Sequence, residues 1–535
     1  MNGLLLTLAW SAPLLMLAFA RGRFVVALMP LAALPALLAA MLVPVGTTVE
    51  LPWLLLGLTL QLDALSETFL GFSAVMWLFA GLYASLTMGG DPRLGRFGVF
   101  FLLACAGNLL LIVAADIIAF YLGFALMGLA ATGLIAHRRS QHVRRAARIY
   151  LAWTLVGEMA LFSAVVLLAQ GMDSLRFSDL AAATIPDAAV ALLLLGFGIK
   201  LALPGLHVWL PLAYPAAPAA AAAVLSGPMI SAGVLGWIRF LPPGNLSGSG
   251  WGESLIVIGV VGTALGVLAG LLQRDPRSVL AYSSIAKMGL VTGVFGIALT
   301  QPHAATGITA ALVVFTMHHL MLKGTLFLGI GEWQRNGGRP WLIATLGILM
   351  LALIGAPFTS GAGAKLLLSE ATTGTGFDLA LLFGFSTLGT LFLMARILWL
   401  IRLRPSTVAS GPDPASLVWL ALAALAILLP LMQTPLPWSS SGLGPIAAGL
   451  GITAVYVFGR RRVSFTSPTV PPGDLLYLIR AARRLWTGEA TRQDFTLSPR
   501  ALVSADTYHN AARTLGVLVW LFVCVFLVAV GLLPG

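Results

Sequence analysis

The chain has 535 residues, 59% of them hydrophobic and 9% charged, with a mean hydropathy of +0.96 and a net charge of +12. A soluble protein of this length could not bury so much apolar surface, so the composition points to a polytopic helical membrane protein. The positive charge reads as basic loops between apolar spans, which excludes nucleic acid as the partner. Two distant cysteines, Cys105 and Cys524, exclude an iron–sulfur cluster or a tetrahedral zinc.

Apolar spans fall at about 3–20, 24–43, 64–88, 97–113, 115–136, 149–169, 189–213, 218–240, 254–272, 279–299, 305–330, 341–371, 377–403, 416–432, 443–459 and 514–533. The expected fold is therefore all-α, with about 14–16 transmembrane helices. Arg21 and Arg23 follow the first apolar run, so the N-terminus reads as a spanning helix and not a cleaved signal peptide.

Loop charge is one-sided. Odd-to-even loops carry Arg21/Arg23, Arg93/Arg96, Arg138, Arg139, Arg144, Arg145, Arg148, Arg274/Arg277, Arg335/Arg339 and Arg402/Arg404, whereas even-to-odd loops carry Arg176 and Arg239. The arginine-rich side is expected to be cytoplasmic in a bacterial inner membrane, with both termini periplasmic. Residues 460–513 form the long polar stretch, in which DLLYLIRAARRLW (474–486) has the spacing of an interfacial amphipathic helix. A solvated linker and a partner-binding surface both fit it.

Two spans are interrupted. The seventh reads GFGIKLALPGLHVWLP, with Pro204 and Gly205 just after Lys200; the twelfth reads LIGAPFTSGAGAKLLL, with Pro357, Gly361 and Gly363 just before Lys365. Such breaks free backbone groups that need a hydrated or protein-lined cavity. The two broken spans are five apart and so cross in opposite directions, the pattern of an inverted repeat. The expected organisation is N-terminal helices over 1–96, one five-helix repeat over 97–240, a second over 254–403, and C-terminal helices over 404–535.

All four lysines, Lys200, Lys287, Lys323 and Lys365, sit in apolar spans, while the remaining 27 basic residues are arginines. A lysine at the bilayer centre costs roughly 2.5–3.5 kcal/mol, so four of them suggest a chain that moves protons or ions. Unlike arginine, a desolvated lysine can lose its proton near neutrality. Glu158 is the carboxylate set deepest in an apolar helix and is expected to face Lys200. His319 and Lys323 share a helical face at i, i+4, whereas His318 points about 100° away. His207 follows the first break, as a relay or as a cap of the broken helix. Asp63 and Glu67 read as interfacial anchors, Asp116 as a helix cap, and Glu370 as a wet residue near a span end.

These segments resemble the antiporter-like proton-translocating subunits, whose members include the large membrane subunits of complex I, Mrp antiporters, membrane-bound hydrogenases and an inorganic-carbon-accumulating complex. GFGIKLALPGLHVWLPLAYPAAPAAAAAVLSGPM is similar to the family's seventh and eighth spans, DPRSVLAYSSIAKMGLV to the start of its second repeat, HHLMLKGTLFL to its H-x-x-x-K helix and LALIGAPFTSGAGAKLLL to its broken twelfth. LPLAYPAAP and PPGDLL look most like the hydrogenase-4 and Mrp antiporter branch. The resemblance covers about residues 50–400 and implies a fourteen-helix core around a hydrated axis of lysines, glutamates and histidines. By match, Lys200 is the span-seven lysine, Lys365 the span-twelve residue, and His319 with Lys323 the link between halves. Two positions depart from the family: Ala125 stands for the span-five glutamate and Ser231 for the span-eight lysine. Glu158, one helix later, is a substitute for the missing carboxylate.

The expected function is proton translocation, with sodium as the alternative ion, along Glu158, Lys200, His207, Lys287, His319, Lys323 and Lys365. No Walker loop, dinucleotide fingerprint or cluster-ligating cysteine set is present, so no cofactor or metal is expected. Coupling is then to membrane or peripheral subunits of a redox, hydrogenase, Mrp-type or carbon-hydrating complex. Rival readings are a quinone-binding subunit, a proton-driven subunit of an inorganic-carbon uptake complex, and a structural anchor with a decayed pathway.

Overall fold

The computed structural model describes residues 1–19, 23–54, 57–172, 174–242, 246, 248–376, 380–402 and 413–434. The expected spans at 443–459 and 514–533, the amphipathic segment and Cys524 lie outside the described residues.

The chain opens with α1 (Asn2–Phe19), then α2 (Arg23–Leu28) and α3 (Leu34–Leu42), which a 3-10 turn at Met29–Ala33 separates. Pro30 and Pro35 account for that interruption of the second span, because proline removes a backbone donor. An antiparallel hairpin follows, β1 (Thr47–Leu51) and β2 (Leu58–Leu62), in register Thr47↔Leu62 through Leu51↔Leu58. Hydropathy does not reveal it, since two five-residue strands carry too short a signal.

Next come α4 (Ala64–Thr87), α5 (Leu94–Val113), α6 (Ile117–Ile135), α7 (Gln141–Ala169) and the single turn α8 (Phe177–Leu180). The seventh span is split into α9 (Asp187–Lys200) and α10 (Leu210–Ala216), with a 3-10 turn at His207–Trp209 between them. The eighth is also in two pieces, α11 (Ala219–Ser226) and α12 (Pro228–Phe240), hinged at Gly227. Pro228 cannot donate there, and a Cβ on Gly227 would lie 2.9 Å from the Leu320 carbonyl. The remainder runs α13 (Trp251–Leu271), α14 (Pro276–Thr300), α15 (Ala305–Asn336), α16 (Pro340–Ile354), α17 (Ser360–Thr372), α18 (Ala380–Arg402) and α19 (Pro414–Leu431). Among the described residues, ten helical segments are long and apolar enough to cross a membrane. Four more of the expected spans are the short or interrupted ones built from α1, α2–α3, α9–α10 and α16–α17.

Aspartates start four of these helices. Asp63, Asp116, Asp275 and Asp413 accept from the amides of Ser66, Ala119, Ser278 and Ser416 at 2.7–3.0 Å, satisfying a helix-start donor each time. Helix ends meet at two poles. At the arginine-rich pole, Arg93 and Arg96 reach the His137 carbonyl, Arg277 reaches the Ala217 carbonyl and Arg396 that of Gln273. At the other pole Asp63 holds Arg239 through two hydrogen bonds of 2.6 and 2.8 Å, so it both caps α4 and pins α12. Asp116 caps α6 and also accepts from the Thr59 amide, as a capping residue should.

The α13–α14 pair packs backbone to backbone. A Cβ on Gly259 would lie 2.4 Å from the Gly293 nitrogen, and one on Gly289 the same distance from the Thr263 nitrogen. Close approach through small residues is how spans associate when lipid supplies no hydrophobic drive. It holds α14, and with it Lys287, deep in the bundle.

Candidate proton-handling site

The break after Lys200 is fixed locally. Ala202 and Gly205 adopt φ of 55° and 84°, and the Ile199 carbonyl at the break accepts from the Ala202 amide at 3.1 Å and from the Trp209 indole at 2.8 Å. Lys200 thus ends α9 with its amine directed at α7, where it donates to the Tyr150 hydroxyl at 3.3 Å. It also lies over the rings of Phe124 and Tyr150, 5.5 and 5.7 Å from their centres, a cation–π setting.

Glu158 and Lys200 line one small cavity with Phe124, Tyr150, Thr154 and Trp209. No ion pair joins the two among the described residues; they share the lining of this cavity. The Glu158 Oε2 has no hydrogen-bond partner among the described residues, and Oε1 lies 3.0 Å from where a Cβ on Gly128 would stand. The carboxylate is therefore laid against α6, one turn beyond Ala125. Ser231 is buried and its hydroxyl donates to the Pro228 carbonyl of its own helix. His207 is buried at the start of the 3-10 turn beyond the break.

A second group centres on α15. Lys323 donates to the Leu280 carbonyl at 2.9 Å and to the Ser283 hydroxyl, both on α14. One turn back, neither ring nitrogen of His319 has a hydrogen-bond partner among the described residues, and Lys323, Lys287 and His318 lie within its electrostatic reach. Lys287 donates to the Ser386 hydroxyl of α18 at 3.3 Å and lies 5.9 Å from the centre of the Phe315 ring.

The second break matches the first. Gly355 and Phe358 have φ of 83° and 62°, and the freed Ile354 carbonyl accepts from Lys365, which also donates to Thr387 at 2.6 Å. His318, the less favoured of the two histidines by helical geometry, reaches this break: its Nδ1 is 3.1 Å from the Ser360 hydroxyl at the start of α17. Lys287 and Lys365 are both within its electrostatic reach. Glu370 is exposed near the end of α17.

The structure thus gathers Glu158 with Lys200, and Lys287, His318, His319, Lys323 and Lys365 with one another. Between the groups runs an aromatic row. Tyr150 and Trp209 have ring centres 5.2 Å apart, Trp209 and Tyr214 6.0 Å, and Tyr214 and Phe327 5.3 Å, which ends one turn from Lys323. Sequence reasoning missed Tyr150, whose only signal was a hydroxyl in an otherwise apolar stretch. It also passed over Glu332, fully buried on α15. Among the described residues no group of three or more His, Cys, Asp or Glu could hold a metal ion.

Comparison with known proteins gives a consistent picture. The sequence profile described as NADH:quinone oxidoreductase/Mrp antiporter, transmembrane, matches residues 114–390. An uncharacterised protein of Mycobacterium tuberculosis is 32% identical over 323 residues, covering 57% of this chain and 48% of that one. Hydrogenase-4 component B of Escherichia coli is 28% identical over 339 residues, 58% of this chain and 50% of its own. The chain spans about half the length of these relatives. In fold it is similar to a chain of the Mrp complex from Dietzia sp. DQ12-45-1b, with a TM-score of 0.67 and 20% identity over 85% of this chain and 97% of that one.

Proposed function

The chain belongs to the NADH:quinone oxidoreductase/Mrp antiporter family of membrane proteins, and from that premise we propose that it translocates protons as one subunit of a larger complex. The observation that carries this reading is the pair of lysine-centred groups, each built on a broken helix inside the bundle. Insertion of each lysine costs roughly 2.5–3.5 kcal/mol, and leucine or methionine at these positions would avoid that cost. A hydroxyl accepts from the lysine amine in the first group, and hydroxyls and carbonyls do so in the second, which suits a carrier that alternates between charged and neutral forms.

The pathway we assign runs through Glu158, Lys200 and His207 in the first group and Lys323, His319, Lys287 and Lys365 in the second. Glu158 takes the part of the family's span-five carboxylate, since it meets α6 at Gly128, three residues beyond Ala125. The two halves, 97–240 and 254–403, act as inverted repeats. Each break pairs a positive-φ glycine with a positive-φ residue that is not glycine, in support of that symmetry. The arginine-rich pole faces the cytoplasm of the inner membrane, with the N-terminus on the periplasmic side. Similarity to a hydrogenase component and to a chain of an Mrp complex supports partner subunits in the membrane, which supply or use the energy. Lysine amines suit protons better than sodium, which prefers oxygen ligands.

A decayed pathway is the competing reading, favoured by Ser231, whose hydroxyl is spent on its own helix. Proton flux in inverted vesicles carrying the whole complex separates the two. Lys200→Ala and Glu158→Gln should each abolish flux while the complex still assembles; undiminished flux in both would make the subunit an anchor.

A further inference from the structure

Glu332 is a fully buried carboxylate that the pathway above does not use. The Tyr83 hydroxyl donates to its Oε1 at 2.7 Å, and Asn336 and Ser416 donate to Oε2 at 2.9 and 2.7 Å. Arg335, one turn along, lies 3.3 Å from Oε1 and also pairs with Asp413. The side chains of Arg335 and Asp413 are 32% and 40% exposed, so the cluster leads from solvent at the arginine-rich pole to a carboxylate that solvent does not touch.

A polar stripe continues inward from there. Arg277, in electrostatic reach of Tyr83, starts a face of α14 that carries Ser284 and Lys287 at the seventh and tenth residues beyond it, one side of a helix. Between them, the Leu280 carbonyl and the Ser283 hydroxyl hold Lys323. All these side chains are buried. The charged and titratable groups facing Glu332 are Tyr83 from α4, Arg335 from its own helix, Asp413 at the start of α19, and Arg277 from α14, itself near Asp275 and Arg138.

We propose that Glu332 collects protons at the arginine-rich pole and passes them by way of the Tyr83 hydroxyl and the α14 stripe to Lys323. The carboxylate takes one proton from the aqueous side and becomes the acid. That proton then passes to the Lys323 amine once Lys323 has released its own, so the carboxylate is restored and charge balances. Tyr83 fits the transfer because a hydroxyl accepts and donates at once. A clamp between α4, α15 and α19 is the plain alternative. A neutral amide would serve a clamp without the desolvation of a buried charge, and a clamp needs no stripe leading inward.

The inference rests on the proton-translocation reading, and the test separates their failures. Initial rates of proton flux are measured across a pH series in inverted vesicles with the whole complex, for wild type, Glu332→Gln, Tyr83→Phe and Lys323→Ala. Glu332→Gln should assemble and lose about tenfold or more in rate at alkaline pH, recovering in part at acidic pH, where protons are plentiful. Tyr83→Phe should show the same change in profile with a smaller loss. If both keep the wild-type profile while Lys323→Ala is inactive, Glu332 does not collect protons and the translocation reading survives. If Lys323→Ala also runs at the wild-type rate, the translocation reading itself fails. Should Glu332→Gln not assemble, Tyr83→Phe decides alone: a wild-type profile makes Glu332 a clamp.

Discussion

The Lys200 amine donates to the Tyr150 hydroxyl at 3.3 Å, and that hydroxyl donates onward to the Gly128 carbonyl at 3.2 Å. Three helices meet at this relay: α9 brings the lysine, α7 the tyrosine, and α6 the carbonyl beside which Glu158 also lies. The arrangement gives the lysine amine a hydroxyl partner in a cavity that Phe124, Trp153 and Trp209 line together with Glu158 and Thr154.

Tyr150→Phe tests the relay directly. The ring stays to pack on Trp209, so assembly should be unchanged. A hydrogen bond to a charged group is worth about 1.5–3 kcal/mol, so proton transfer through Lys200 should slow by about tenfold or more. Flux in vesicles carrying the variant complex checks this, and an unaltered rate would remove Tyr150 from the path.

Much of this was legible in the sequence, and the reasons it was or was not are physical. Long apolar runs mark spans because lipid enforces backbone self-satisfaction, and Pro204 with Gly205, or Pro357 with Gly361, mark where that satisfaction stops. Gly227 gave a weaker sign: its hinge depends on the Leu320 carbonyl pressing against it, a contact across 93 positions that no local pattern carries. His318 was undervalued for the same reason. Helical geometry sets it off the His319–Lys323 face, and only the fold shows that the other direction leads to Ser360 and the second break. Glu332 is the extreme case, since its tyrosine partner lies 249 residues away.

Acid should weaken the arginine-rich pole through Asp91 and His137, which share a 2.8 Å hydrogen bond. Partial burial pushes the Asp91 carboxyl up, but the Arg93 amide and the His137 ring outweigh it and hold it below the usual carboxylate range. Burial holds His137 below the ordinary imidazole value despite Asp91, helped by Arg96 and Arg93. Both groups therefore bind protons less readily folded than unfolded. Their stability is present above the unfolded values and is lost as pH falls through about 6.5 for the histidine, then through the carboxylate range. His137→Gln should flatten the fall in thermal stability between about pH 7 and pH 5. An identical slope in the variant would show that His137 does not contribute.

Gly355 sits where the second break is tightest. Its φ of 83° disfavours any side chain, and a Cβ there would lie 3.0 Å from the Lys365 Nζ and 3.2 Å from the Gly361 carbonyl. Gly355→Ala should cost about 1–2 kcal/mol from the backbone alone. It should also push the Lys365 amine off the Ile354 carbonyl and Thr387. The expected result is a complex that assembles with lower thermal stability and loses flux out of proportion to that loss. Gly347→Ala is the control, since a Cβ there meets nothing and its backbone is ordinary helix. If Gly355→Ala lowers stability and leaves flux per assembled complex at the wild-type level, the lysine's position at the break does not matter to transport. If flux falls while the control is silent, the strained turn holds Lys365 in its working place.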